Sequence, residues 1–325
     1  MFSKPGDKMW DAEYAKWVDG MHPDTMFGVK FDEVPRPLIQ KLGLHITDRK
    51  FVKEIKTSDA EYYGLAPWVT DEMAEVALTM KVHKIYTFAQ MQKMTGKEPK
   101  RLMELLAQVG VVEYKWPGGD GKGTVEDRMY SLPPFIVGSG EYMGMKKSMV
   151  EKTPEAIMLF DRMAFQPLSG LTQMVPPGGA GMAMHVIPVE QAIPAKAESV
   201  DSEHLSYWLK KYTTFAALPC VCRMSKEVLD EGDGEDPEDM CLAVGDMARY
   251  SVETGRGRYI TYDEAMEIIY KAEEMGCVHQ ITNLDGPEHI LGICNCGVGS
   301  CLALRSSQFF NTPNLSRSAY TAEVD

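Results

Sequence analysis

The sequence predicts an α+β chain, mainly helical, that ends in a helix-rich domain with short strands around clustered cysteines. Three observations lead there. Apolar residues recur at helical spacing from Met73 to Met80 and from Leu102 to Val109. Strand candidates are short and scattered between longer helical patterns. Six of the seven cysteines fall in the last third, and two pairs share a Cys-x-Cys spacing.

Residues 1–66 are rich in aromatics and proline and show no clean period, so they are expected to form an extension packed on the rest. Thr70-Asp71-Glu72 opens a helix whose apolar stripe is Met73, Val76, Ala77 and Met80. Thr87 opens a second helix, with Gln90 completing a capping box and Gly96 ending it. Pro99 sits in the first turn of a third, which carries Leu102, Leu105, Leu106 and Val109 and stops at Gly110. Val111 to Trp116 reads as an edge strand, Pro117 to Gly123 as a turn, and Thr124 to Leu132 as the returning strand. Three helices followed by a hairpin is the winged-helix order, and residues 67–135 are expected to form such a domain.

Residues 136–215 read as a helical connector, with a helix over 139–165, a Pro/Gly stretch at Pro176-Pro177-Gly178-Gly179, a strand at Met184 to Val189 and a helix from Glu203 to Tyr212. The cysteine domain spans 216–325. In it Pro237 opens a helix that carries Cys241, Leu242, Met247 and Tyr250 and ends at Gly255. Thr261 and Glu264 form a capping box, and Gly276 ends that helix. Val278 to Ile281 and Ile290 to Ile293 are short strands, the second leading into Cys294.

A net charge of −13 argues against general affinity for nucleic acid or anionic membrane. The N-terminus lacks the apolar stretch of a signal peptide, and no apolar run reaches the roughly 18–20 residues that span a bilayer. A cytoplasmic protein is therefore expected, in which clustered thiols stay reduced and read as metal ligands. The 23 methionines suit a low-oxygen habitat, that of an anaerobe.

The candidate ligands are Cys220, Cys222, Cys241, Cys294, Cys296 and Cys301. In an extended segment residues i and i+2 share a face, so each pair offers two sulfurs to one centre. Two pairs supply the four thiolates that hold a [4Fe–4S] cluster or a structural zinc. Zinc modules favour Cys-x2–4-Cys spacing and take four ligands, so the iron–sulfur reading leads and zinc is the alternative. Gly297 and Gly299 let the chain turn tightly beside such a centre, and Arg223 offsets thiolate charge. Cys277 stands alone after Gly276 and reads as a small buried hydrophobe. His279 is close enough to be a non-cysteine ligand, though a lone histidine is more often structural. The acidic run from Asp230 to Asp239 is a solvated loop, or a field that lowers a nearby potential or steers a basic partner.

The strings Pro219-Cys220-Val221-Cys222-Arg223, Glu238-Asp239-Met240-Cys241, Thr254-Gly255-Arg256-Gly257-Arg258, Gly286-Pro287, Ile293-Cys294-Asn295-Cys296 and Asn314-Leu315-Ser316-Arg317-Ser318 together resemble an iron–sulfur module of anaerobic bacteria. That module occurs alongside ferredoxin domains and FAD- or NAD(P)-dependent oxidoreductases. The resemblance covers roughly residues 67–325. It implies a [4Fe–4S] protein exchanging electrons with a flavoprotein or ferredoxin-type partner. Relatives often carry Cys-Asn-Cys-Cys and further thiols where Gly297 and Gly299 stand here. They also commonly continue into a ferredoxin domain, so the partner is expected on another polypeptide.

No haem-attachment or phosphate-loop motif is present, and Pro177-Gly178-Gly179-Ala180-Gly181 reads as a connector. No nucleophile–base arrangement stands out, so an electron-transfer component of an oxidoreductase is expected rather than a complete enzyme. The rivals are a winged-helix iron–sulfur regulator and a zinc-stapled interaction module. Residues 68–131 carry nine basic and nine acidic side chains, without the basic surplus of a DNA-binding domain. Homo- and hetero-oligomers are both open.

Overall fold

The computed structural model describes residues 25–26, 29–30, 35–49, 52–95, 99–151, 154, 156–157, 184–192, 201–232, 238–282, 289–309, 315–316 and 320. The expected features at 176–181, Gly286-Pro287, Asn314 and Arg317-Ser318, and much of the acidic run, lie outside them.

β1 (Thr25–Met26) and β2 (Val29–Lys30) pair only with each other among the described residues. α1 (Pro37–Ile46) places Ile39, Leu42, Gly43 and Ile46 on its buried face, the i, i+3, i+4, i+7 stripe of an amphipathic helix. It packs on α2 (Ala60–Leu65) and α3 (Asp71–Leu78). Arg36 fastens this entry by donating to the carbonyls of Ala66 and Val69 at 2.8 and 2.9 Å. The expected extension thus supplies a wall of the first core. The Thr70 hydroxyl caps α3 by accepting from the Met73 N–H.

β3 (Ile85–Thr87), α4 (Phe88–Thr95), α5 (Pro99–Val109), β4 (Glu113–Lys115) and β5 (Met129–Ser131) complete this unit. Thr87 and Gln90 exchange the two hydrogen bonds of a capping box. The three helices precede the hairpin in the expected order, and β3 adds a third strand in the order β3-β5-β4. The long loop between β4 and β5 folds back onto the C-terminal half. Trp116 is almost wholly buried there, with the Arg249 guanidinium 4.0 Å over its ring. Gly123 has φ of +148°, and a Cβ there would lie 2.3 Å from the Trp116 ring, so only glycine closes this loop.

A π-helical turn (Phe135–Ser139) leads into α6 (Gly140–Gly144) and α7 (Lys147–Val150). β6 (Met184–Ile187) and α8 (Leu205–Leu209) precede β7 (Phe215–Leu218) and α9 (Val221–Val228). Then come β8 (Cys241–Val244), α10 (Gly245–Glu253), β9 (Arg258–Ile260), α11 (Tyr262–Glu274), β10 (Val278–Thr282), β11 (Gly292–Cys296), α12 (Leu302–Phe309) and β12 (Leu315–Ser316).

The chain is α+β but not mainly helical, and the expected helix-rich cysteine domain is corrected by its sheet. Seven strands in the order β12-β6-β10-β11-β8-β7-β9 form the centre of the C-terminal half. All neighbours are antiparallel except β12 and β6. β7 and β8 are buried at every position, so they lack the polar–apolar alternation that marks a half-exposed strand. β6, read as part of a connector, lies inside this sheet.

A second correction concerns Cys241. It lies in a strand, and the helix expected from Pro237 begins only at Gly245, whose φ of +56° turns the chain from β8 into α10. The apolar run Cys241-Leu242-Ala243-Val244 reads equally well as strand or helix.

One face of the sheet carries Phe215, Ala217, Leu242, Val244, Ile281 and Ile293 against α8 and α11. The capping box of Thr261 and Glu264 starts α11 as expected, and Gly276 follows its end with φ of +75°. No helix among the described residues is long and apolar enough to cross a membrane.

Candidate metal centre

The cysteines gather on the opposite face of the sheet. Cross-strand partners share a face, and the register runs Leu218, Cys241, Cys294, Gln280, Val186 across five strands. Cys296 follows Cys294 by two residues and shares that face. The first pair is presented differently from the expectation of two extended segments. Cys220 is the extended N-cap residue of α9, and Cys222 lies in that helix's first turn. Cys301 stands just before α12. Two cysteines therefore precede helices, whose N-terminal backbone amides favour negative charge on sulfur.

All six expected cysteines meet in one closed ring. Cys220 touches Cys222 and Cys241, and Cys241 touches Cys294. Cys294 touches Cys296, Cys296 touches Cys301, and Cys301 closes the circuit on Cys222. Cys220, Cys241, Cys296 and Cys301 are buried, while Cys222 and Cys294 are half-buried. None is in a disulfide.

Donors and acceptors alternate around the circuit. S–H groups on Cys241 and Cys296 hold the Cys294 thiol down at about 5, against the cost of burial. Hydrogen bonds from Cys222 and Cys241 bring Cys220 well below the usual thiol range, with help from the Arg223 N–H and guanidinium charge. Cys222 and Cys296 do the same for Cys301, aided by the Leu304 N–H. Cys222, Cys241 and Cys296 are pushed up because they donate. Such a ring titrates as one unit rather than as six independent thiols, and the thiolate is the form that binds soft metals.

The chemistry of this donor set is a test of what fits it. Among the described residues no group of three or more His, Cys, Asp or Glu side chains is placed to hold a metal ion. The sulfurs instead lie around a circuit, each touching two neighbours. A structural zinc needs four ligands converging tetrahedrally on one point. A polynuclear iron–sulfur cluster has its own volume and accepts thiolates spread around it. The donor chemistry, soft sulfur, is one that either centre uses.

Surrounding groups fix the ring. Arg223 is buried to about 1% exposure. Its Nη1 donates to the Asn295 carbonyl, between the second cysteine pair, at 2.8 Å. Its Nη2 lies 3.3 Å from the Cys277 sulfur. The charge compensation expected of Arg223 is in place, and Cys277 is a polar partner as well as a buried thiol outside the ring. His279 is no member of the ring: Nδ1 faces Asn295 Oδ1 at 2.8 Å and Nε2 faces Glu273 Oε1 at 3.3 Å. It tethers β11 to α11. Gly144 of α6 packs so closely on Val221 that a Cβ would come within 2.3 Å of its methyl, so α6 backs directly onto the segment between Cys220 and Cys222.

Sequence reasoning missed Gln280, which enters the site only through the register of β10 against β11. It also missed the Arg223–Cys277 contact, for which one-dimensional spacing holds no signal.

Cys277→Ala is expected to keep the full metal content and to cost about 1–2 kcal/mol, from one lost contact to a charged group. Metal analysis beside urea unfolding checks this. Loss of metal equal to that from a ring substitution would contradict the assignment.

No family model, curated protein or solved structure matches the chain.

Proposed function

We propose that this chain is an electron-transfer subunit whose six-cysteine ring holds a [4Fe–4S] cluster and exchanges single electrons with a flavoprotein or ferredoxin-type partner. The observation that carries this reading is the gathering of six free cysteines: Cys241, Cys294 and Cys296 on one face of the sheet, with Cys220, Cys222 and Cys301 at the starts of α9 and α12 beside them. The motifs' resemblance to an oxidoreductase-associated iron–sulfur module supports it. When bound, the cluster supplies a one-electron store.

The chain's own residues do the rest. The cysteines supply soft donors, and Arg223 sets a buried positive charge against them. Apolar walls from Leu218, Met240 and Ala248 exclude water on the inner side. Cys222 and Cys294 are half-buried, and in the loop before Cys301 Val298 is 37% exposed, which brings the centre close to a docked partner. Reduced thiols of this kind require a reducing compartment, and we place the protein in the cytoplasm of an anaerobe.

The regulator reading loses ground on one observation. The loop between β4 and β5, which a DNA-reading wing would need, is fastened to the C-terminal half. The Asp120 carboxylate accepts from Thr213 and Thr214 N–H at 2.7 and 3.1 Å, and Asp246 accepts from Gly121 N–H at 2.7 Å.

Anaerobic redox titration followed by electron paramagnetic resonance tests the proposal. A one-electron wave with a signal that appears on reduction, and reoxidation by an added flavoprotein, is the expected result. A protein with no reducible centre would overturn it.

A further inference from the structure

We infer that Gln280 is a positioning residue for the centre, donating a side-chain N–H to Cys301 and so setting the reduction potential. The inference rests on the iron–sulfur reading above and goes beyond it by naming a residue outside the ring. Gln280 is fully buried on the cysteine face, directly opposite Cys294. Its Nε2 lies 3.6 Å from the Cys301 sulfur, the hydrogen bond that the described residues give this amide. Its Oε1 has no partner among them.

Its surroundings do not otherwise call for an amide. Val186 is its partner on β6, and Val278 precedes it by two residues on the same face. A buried glutamine kept for packing would be completed by backbone or side-chain partners at both ends. Here the amide N–H is turned to sulfur, and no other acceptor for it stands among the described residues. A second buried polar atom without a partner, Ser300 Oγ, lies beside the same cysteine in sequence. The Cys301 corner is thus the polar corner of the site.

An N–H donated to a ligand sulfur stabilises the more negative, reduced state and raises the potential. Gln280→Met keeps length and volume while removing the donor. The expected result is unchanged iron and sulfide content with a lower midpoint potential. The reduction equilibrium should fall by roughly three- to tenfold, which is about 30–60 mV for one electron. The melting temperature should hold or rise, because the unpartnered Oε1 is removed as well. A loaded Gln280→Met protein with an unaltered potential would overturn the inference, and so would loss of cluster and fold together, the mark of a structural role.

A second measurement needs no variant. With 15N in the glutamine side-chain amides, electron–nuclear double resonance of the reduced native protein should show one coupled amide nitrogen. No coupling would overturn the inference. Native protein without iron and sulfide would bring down the cluster reading itself. That result is distinct from either Gln280 failure, because both of those are seen in loaded protein.

Discussion

Cys294→Ser protein, purified without oxygen, is expected to emerge without the metal proposed for the native ring. Cys294 sits at the middle of the site's sheet face, with Cys241 opposite it on β8 and Cys296 two residues on. Hydrogen bonds from Cys241 and Cys296 favour its thiolate form. A serine hydroxyl stays protonated there and is a hard, poor donor to iron. Even changes to groups that merely support ligands cost about 10–100-fold in metal affinity, so loss of a ligand sulfur should exceed that. Iron and sulfide analysis of Cys294→Ser beside Cys277→Ala gives the comparison. Equal retention in both would mean that the ring is not the binding site.

Arg256→Ala is expected to lower stability more than any single change at the ring's rim, by about 3–5 kcal/mol, since good hydrogen bonds to a charged group contribute about 1.5–3 kcal/mol each. The side chain is 2% exposed and crosses from the C-terminal half into the first unit. Nε donates to the Tyr142 carbonyl at 2.7 Å, and Nη2 to the Gln108 carbonyl at 3.0 Å. Nη1 approaches the Ala107 carbonyl at 3.4 Å. Alanine takes the Arg256 donor from the Tyr142 carbonyl in α6, the helix behind Val221, and one donor each from the Ala107 and Gln108 carbonyls, which keep Tyr250 Oη and Lys146 Nζ. The adjoining Gly257 allows no repair by backbone shift, since a Cβ there would lie 2.3 Å from the Ala217 carbonyl. Arg256→Lys should rescue little, because one ammonium does not reproduce a planar fork. Urea unfolding of both variants measures this, and a loss below about 1 kcal/mol for Arg256→Ala would contradict the account of the interface.

What was legible in the sequence was local. Thr70, Thr87 with Gln90, and Thr261 with Glu264 cap the helices they were expected to cap, because a cap involves residues three apart. Gly110, Gly255 and Gly276 take positive φ at helix ends for a similarly local reason. The six cysteines that come together were legible as a set, since two Cys-x-Cys pairs with Cys241 and Cys301 between and after them leave a clear chemical pattern.

The sheet was hidden. β7 and β8 are short and buried on both faces, and β6 joins β10 across the whole of α11. Pairing of that kind is a long-range choice made by the packed core, not by the strand's own residues. The same loss of register concealed Gln280, whose place beside the ring follows from lying opposite Cys294. Cys241 fell to the ambiguity of a four-residue apolar run. The stripe of Met247 and Tyr250 behind it belongs to a real helix, and only the turn at Gly245 separates the two.

Iron and acid-labile sulfide per chain in the anaerobically purified native protein test the central claim most directly. The six-sulfur ring predicts about four of each. Zinc without sulfide, or a chain free of metal, would contradict it.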